Sequence, residues 1–124
     1  MVDEIARQVL AAAVEVHREL GPGFLESVYE NALAMELQLR GLPFARQVVV
    51  ETAYKGHPVG ESRLDLLVGG CLVVELKAVD GLNPLHTAQV LSYLKQTGHE
   101  LGLLINFNVP VLLRGVRRIV RTSP

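Results

Sequence analysis

Three charged residues, Asp65, Glu75 and Lys77, lie in a stretch that is otherwise rich in apolar residues: Arg63-Leu64-Asp65-Leu66-Leu67-Val68-Gly69-Gly70-Cys71-Leu72-Val73-Val74-Glu75-Leu76-Lys77. Apolar runs on both sides of Gly69-Gly70, a pair that supplies positive φ cheaply, predict two strands joined by a tight turn. Strands apolar on both faces belong in the middle of a sheet covered by helices. An ionised carboxylate there is unfavourable unless it is paired or bound to a metal. Two acids and an amine in such a place therefore call for a chemical explanation.

Side chains on a strand repeat with period two, so Glu75 and Lys77 point to the same face. Whether Asp65 joins them depends on register. A plain two-residue turn at Gly69-Gly70 would set Asp65 opposite Val74 and turn it away from Glu75. A three-residue connection of the bulged type, with a glycine in the left-handed region, shifts the register by one and brings Asp65 and Glu75 to one face. The bulged turn is the expectation.

Asp65 followed across a hairpin by Glu75-Leu76-Lys77 resembles the core of the PD-(D/E)XK nuclease superfamily. Gly23-Phe24-Leu25-Glu26-Ser27-Val28-Tyr29 resembles the signature of the GxxExxY family, a small branch of that superfamily. His86-Thr87-Ala88-Gln89-Val90-Leu91-Ser92-Tyr93-Leu94 and Gly102-Leu103-Leu104-Ile105-Asn106-Phe107 resemble its C-terminal half. Two departures stand out. Leu64 occupies the place of the proline in the superfamily name, and Asn108 stands where the family often has glycine, a position where asparagine tolerates left-handed backbone.

The resemblance implies an α/β (α+β) restriction-endonuclease-like fold: a central mixed sheet flanked by helices, in the order α-α-β-β-β-α-β-β. It implies metal-dependent hydrolysis of phosphodiester bonds, with DNA or RNA as substrate. Asp65, Glu75 and the backbone carbonyl of Leu76 would hold the metal, Glu26 would add a ligand directly or through water, and Lys77 would orient the attacking water or accept its proton. Tyr29 would pack beside Glu26 or donate its hydroxyl, while Gln89 and Tyr93 would position substrate or the lysine. A hard, oxygen-rich donor set suits Mg²⁺ or Mn²⁺. One cysteine and scattered histidines make a poor zinc site.

Length and composition fit this reading. At 124 residues and 49% hydrophobic content, the chain is expected to form one domain, 1–124, around one core. A formal net charge of −1 gives no global attraction to nucleic acid, so binding must rest on a local patch. The single Cys71 cannot form an internal disulfide. Met1-Val2-Asp3-Glu4 lacks the basic region of a signal peptide, and no apolar run is long enough for a bilayer; a cytoplasmic protein without membrane contact is expected. A homodimer is plausible, since a partner could give a second wall to the cleft of a small domain.

The supporting elements follow from periodicity and punctuation. Ile5, Val9, Ala12, Ala13, Val16 and Leu20 recur at three and four, predicting a helix over 3–20 that Gly21-Pro22 ends. A second helix is expected to run to about Arg40. Glu26 then suits a helix first turn on dipole grounds alone, and Tyr29 suits a core aromatic with a polar tip. Ala45 to Tyr54 reads as a strand, Lys55-Gly56-His57-Pro58 as a turn, and Asn83-Pro84 as the cap and first position of a helix reaching Thr97. His86, Gln89 and Tyr93 form one stripe on that helix. Val111 to Arg121 reads as a further strand or edge segment, and Arg114, Arg117, Arg118 and Arg121 suit the protection of an edge strand better than phosphate binding. Two other functions stay open: a non-enzymatic module that binds nucleic acid or protein on a nuclease core, and plain ion pairing of Lys77 with the two acids.

Overall fold

The computed structural model describes residues 1–122. Two helices come first, α1 (Val2–Leu20) and α2 (Glu26–Leu39), followed by the strands β1 (Phe44–Tyr54), β2 (His57–Val68) and β3 (Leu72–Lys77). Helix α3 (Pro84–Thr97) leads to β4 (Leu101–Asn106), a 3-10 turn at Leu112–Gly115 and β5 (Val116–Val120). The architecture is the expected α+β one. The strands lie in chain order in one mixed sheet, β1-β2-β3-β4-β5. Only β3 and β4 run parallel, and α3 makes the crossover between them.

Period-two alternation in the central strands divides the core into two layers. Leu72, Val74 and Leu76 of β3, with Leu101, Leu103 and Ile105 of β4, pack against Val9, Ala13 and Val16 of α1 and Leu33 and Leu37 of α2. Val73 and Leu104, on the opposite face, pack against Val90, Tyr93 and Leu94 of α3. Glu75 and Lys77 fall on the Val73 side, toward α3. One strand breaks its alternation. Leu66 and Val68 of β2 join the α1/α2 layer while Leu64 joins the α3 layer, so β2 rolls over at Asp65.

Several boundaries differ from expectation. The β1–β2 turn uses only Lys55 and Gly56, both at positive φ (51° and 81°), so His57 and Pro58 belong to β2, paired with Tyr54 and Ala53. Pro58 is tolerated because the pairing is already irregular between Thr52 and Ala53. The segment from Val111 divides into the 3-10 turn and β5, which pairs with β4 at the sheet edge. Asn83 caps α3 as expected, its side chain accepting from the Leu85 and His86 amides. In the arginine cluster, Arg118 pairs with Asp3, Arg117 donates to the carbonyls of Arg114 and Val116, and Arg121 donates to the carbonyls of Gly98 and His99 beyond the end of α3. Among the described residues no helix is long and apolar enough to cross a membrane.

The close of the 3-10 turn presses on the end of β4. A Cβ placed on Gly115 would sit 2.2 Å from the carbonyl oxygen of Asn106, a backbone atom that cannot move aside alone. Gly115→Ala is therefore expected to destabilise the protein by about 1–3 kcal/mol. In urea unfolding this appears as a lower midpoint at unchanged slope.

Candidate active site

The connection between β2 and β3 has three residues, since Val68 pairs with Leu72 and Leu66 with Val74. Gly69 and Gly70 both take left-handed φ (62° and 71°), and the Cys71 amide donates to the Val68 carbonyl. This is the register that the bulged turn predicts, and continued by one step it sets Asp65 opposite Glu75. There the backbone ladder gives way to side chains. The Asp65 amide donates to Glu75 Oε1 at 2.7 Å, and the Leu76 amide donates to Asp65 Oδ2 at 2.8 Å. Each acid thus accepts from the backbone of the opposite strand, in the gap where β2 leaves β3.

The Leu76 N–H points into this gap. An extended residue directs its carbonyl to the same edge as its amide, so the Leu76 carbonyl faces the gap too. Lys77, next in sequence, sends its own carbonyl the other way, to the Phe107 amide at 2.9 Å. Asn106, register partner of Lys77 on β4, is buried and ties down the chain beyond the lysine: its Oδ1 accepts from the Val79 amide at 3.0 Å and its Nδ2 donates to the Val79 carbonyl at 2.9 Å.

The electrostatics follow from burial and crowding. Glu75 is 3% exposed, and its carboxyl is pushed up to about 8, first by burial and then by the charge of Asp65, with the Asp65 amide and Lys77 opposing. Burial also raises Asp65, against the Leu76 amide, and Glu30 adds to the rise. Glu26 is raised by burial, while Lys77 pulls it down. Lys77 forms no ion pair among the described residues, so direct pairing with the two acids does not account for it. No buried side-chain oxygen or nitrogen among the described residues lacks a partner. The Glu75 carboxyl oxygen not bonded to Asp65 therefore keeps some contact with solvent.

The remaining expected residues separate into those near the acids and those elsewhere. Glu26 opens α2 and lies close enough to Lys77, Asp65 and Glu30 to feel their charges. Tyr93 feels Glu75 and Asp65, and its hydroxyl donates to the Arg63 carbonyl at 3.4 Å and accepts from Gln89 Nε2 at 3.3 Å. Of the two roles expected for Tyr29, the structure shows the core aromatic with a polar tip. It is fully buried, stacked on Phe107 at 4.5 Å, and its hydroxyl is used by the α1–α2 link, donating to the Gly21 carbonyl at 2.6 Å and accepting from the Phe24 amide at 3.2 Å. Tyr29 fixes the start of α2, and hence Glu26, without itself facing the acids. His86 completes the α3 capping box, its Nδ1 accepting from the Asn83 amide.

Sequence reading did not find Glu30, Arg46 or Gln47. Glu30 is 9% exposed; its Oε2 accepts from Arg46 Nε at 3.0 Å and its Oε1 from Gln47 Nε2 at 2.8 Å. The same Gln47 amide nitrogen lies 3.4 Å from Asp65 Oδ1. The available signal was the i, i+4 spacing of Glu26 and Glu30 on one face of α2.

Two opposed carboxyls, one of them deeply buried, and a backbone carbonyl on the same edge of β3 make a hard-oxygen set of the kind that suits a small divalent cation. Among the described residues no three acidic, histidine or cysteine side chains converge on a single point, so Glu26 is not a direct third ligand in this arrangement.

A family model of the PD-(D/E)XK nuclease superfamily matches residues 3–119. Among solved structures, the crystal structure of SSO0001 is similar at TM-score 0.61 and 19% identity. The match covers 79% of this chain and 50% of that one, so this chain spans half the length of that protein. No curated protein matches.

The raised Glu75 pKa has a stability consequence with a definite sign. The folded state binds this proton more tightly than the unfolded state, whose value is 4.5. The contribution is therefore full below pH 4.5 and is lost as pH rises toward 8. In EDTA, wild type should lose on the order of 2–4 kcal/mol more than Glu75→Gln between pH 5 and pH 9 in denaturant unfolding. Parallel profiles for the two proteins would show that Glu75 is not held protonated.

Proposed function

The chain belongs to the PD-(D/E)XK nuclease superfamily, and we propose that residues 1–124 form one nuclease domain of its GxxExxY branch, hydrolysing phosphodiester bonds of nucleic acid with a divalent metal. The observation that carries this reading is the opposition of Asp65 and Glu75, each braced by a backbone amide of the other's strand, with Lys77 two residues on along the same face.

In this reading Asp65, Glu75 and the Leu76 carbonyl hold Mg²⁺ or Mn²⁺, and Glu26 contributes through an intervening water. The ion, when bound, supplies a Lewis acid for the phosphate and for the water that attacks it. Everything else is done by the chain. The two acids exchange mutual repulsion for attraction to a common cation, which favours their ionised forms. Lys77, on the same face as the acids, orients the attacking water as a protonated donor or, as the neutral amine, accepts its proton. Tyr93, with Gln89 bonded to its hydroxyl, lines the α3 wall and positions the substrate strand. No covalent nucleophile is needed, because water attacks directly.

The test is cleavage of single- and double-stranded DNA and RNA in Mg²⁺ or Mn²⁺. Wild type is expected to cut at least one of these substrates and to stop in EDTA. Lys77→Ala and Asp65→Ala should each lower the rate by about 10²-fold or more. Failure on every substrate, or equal rates in all three proteins, would remove the proposal.

A further inference from the structure

Gln47 has a backbone that its position in a strand does not explain. It lies inside β1, yet its φ is +51°, in the left-handed region that residues other than glycine seldom occupy. The β1–β2 ladder pairs Arg46 with Leu66 and Val48 with Leu64, and it skips the step at Gln47 and Asp65. Strain of this kind persists only where the surroundings hold it, and it often marks functional positions.

The side chains show what the kink achieves. On a regular strand Arg46 and Gln47 would point to opposite faces. Here both reach the same buried acid: Arg46 Nε donates to Glu30 Oε2 at 3.0 Å, and Gln47 Nε2 donates to Glu30 Oε1 at 2.8 Å. From that anchor the Gln47 amide also faces Asp65 Oδ1 at 3.4 Å, while the other Asp65 oxygen takes the Leu76 amide at 2.8 Å. The Asp65 carboxylate is thus held by a donor on each oxygen, and the Gln47 donor is itself fixed by Glu30. A cation ligand oriented in this way gains from the partner behind it.

We propose that Gln47 is a positioning residue for the metal site: its left-handed backbone and its anchor on Glu30 aim its amide at Asp65 and set that carboxylate for the cation. This rests on the nuclease reading above and deepens it by adding a residue that touches neither substrate nor metal.

Two substitutions separate this role from a structural one. Gln47→Met keeps the length and removes the donor, while Gln47→Gly removes the donor and relieves the φ. Mn²⁺ affinity is measured by calorimetry alongside melting temperature, and the orientation of Asp65 is read from crystal structures of the metal-free proteins. Both variants should bind Mn²⁺ about ten-fold or more weakly, with Asp65 turned from its wild-type position. Gln47→Gly should melt no lower than Gln47→Met. In cleavage assays at saturating Mn²⁺, KM for nucleic acid should stay within about two-fold while kcat falls. Wild-type Mn²⁺ affinity and Asp65 orientation in both variants would overturn the role of Gln47 and leave the nuclease reading standing. Absence of Mn²⁺ binding by wild type would overturn both.

Discussion

The reciprocal brace between Asp65 and Glu75 is the interaction on which the rest of this molecule depends. Where β2 and β3 separate, a pair of backbone amides would lose their ladder partners inside a covered sheet, a loss of roughly 1–3 kcal/mol each if left unmet. The two carboxyls accept these amides instead. Each acid is held in place by the strand that carries the other, so the separation of the strands and the clustering of charge stabilise one another. The Leu76 amide on Asp65 and the Asp65 amide on Glu75 each favour the ionised acid, which offsets part of the desolvation that burial imposes.

The layers around the brace are arranged to keep it narrow. Helices α1 and α2 close one face of β3 and β4 through Leu72, Val74, Leu76, Leu103 and Ile105; α3 closes the other through Val73 and Leu104. The acids and Lys77 stand at the C-terminal end of β3, where both layers contribute: Glu26 and Glu30 from α2 and Tyr93 from α3. Tyr29 and Asn106 lie behind this arrangement. One pins the entry to α2 and the other pins the chain leaving β3, so the groups on either side of the gap are set by buried hydrogen bonds. The crowding of Asp65 and Glu75 in a poorly solvated place raises both carboxyls, and a small cation that let both ionise would be strongly attracted there.

Much of this could be read from residue order. Alternation placed Glu75 beside Lys77. The glycine pair, together with the need for Asp65 to face Glu75, specified a three-residue turn that the structure contains. Helix periodicity and the Asn83-Pro84 start located α1 and α3. Where reading stopped short, the cause was competition for a polar group. The Tyr29 hydroxyl shares a helix face with Glu26, yet the α1–α2 link needed it more. His86 shares a stripe with Gln89, yet the first turn of its own helix took its ring nitrogen. His57 and Pro58 carry turn residue types, yet the two-residue turn at Lys55-Gly56 already reverses the chain.

The sequence alone determined what depends on neighbours along the chain: the helices, the β2–β3 turn, the face shared by Glu75 and Lys77, and the family pattern they spell. Tertiary structure decided what stands behind Asp65, because Glu30 on α2 and Gln47 on β1 meet only once the helix is laid across the sheet and the Gln47 backbone is forced out of the extended region. Such a φ is chosen by contacts from distant segments against the local preference of the residue. No spacing in the chain encodes that choice.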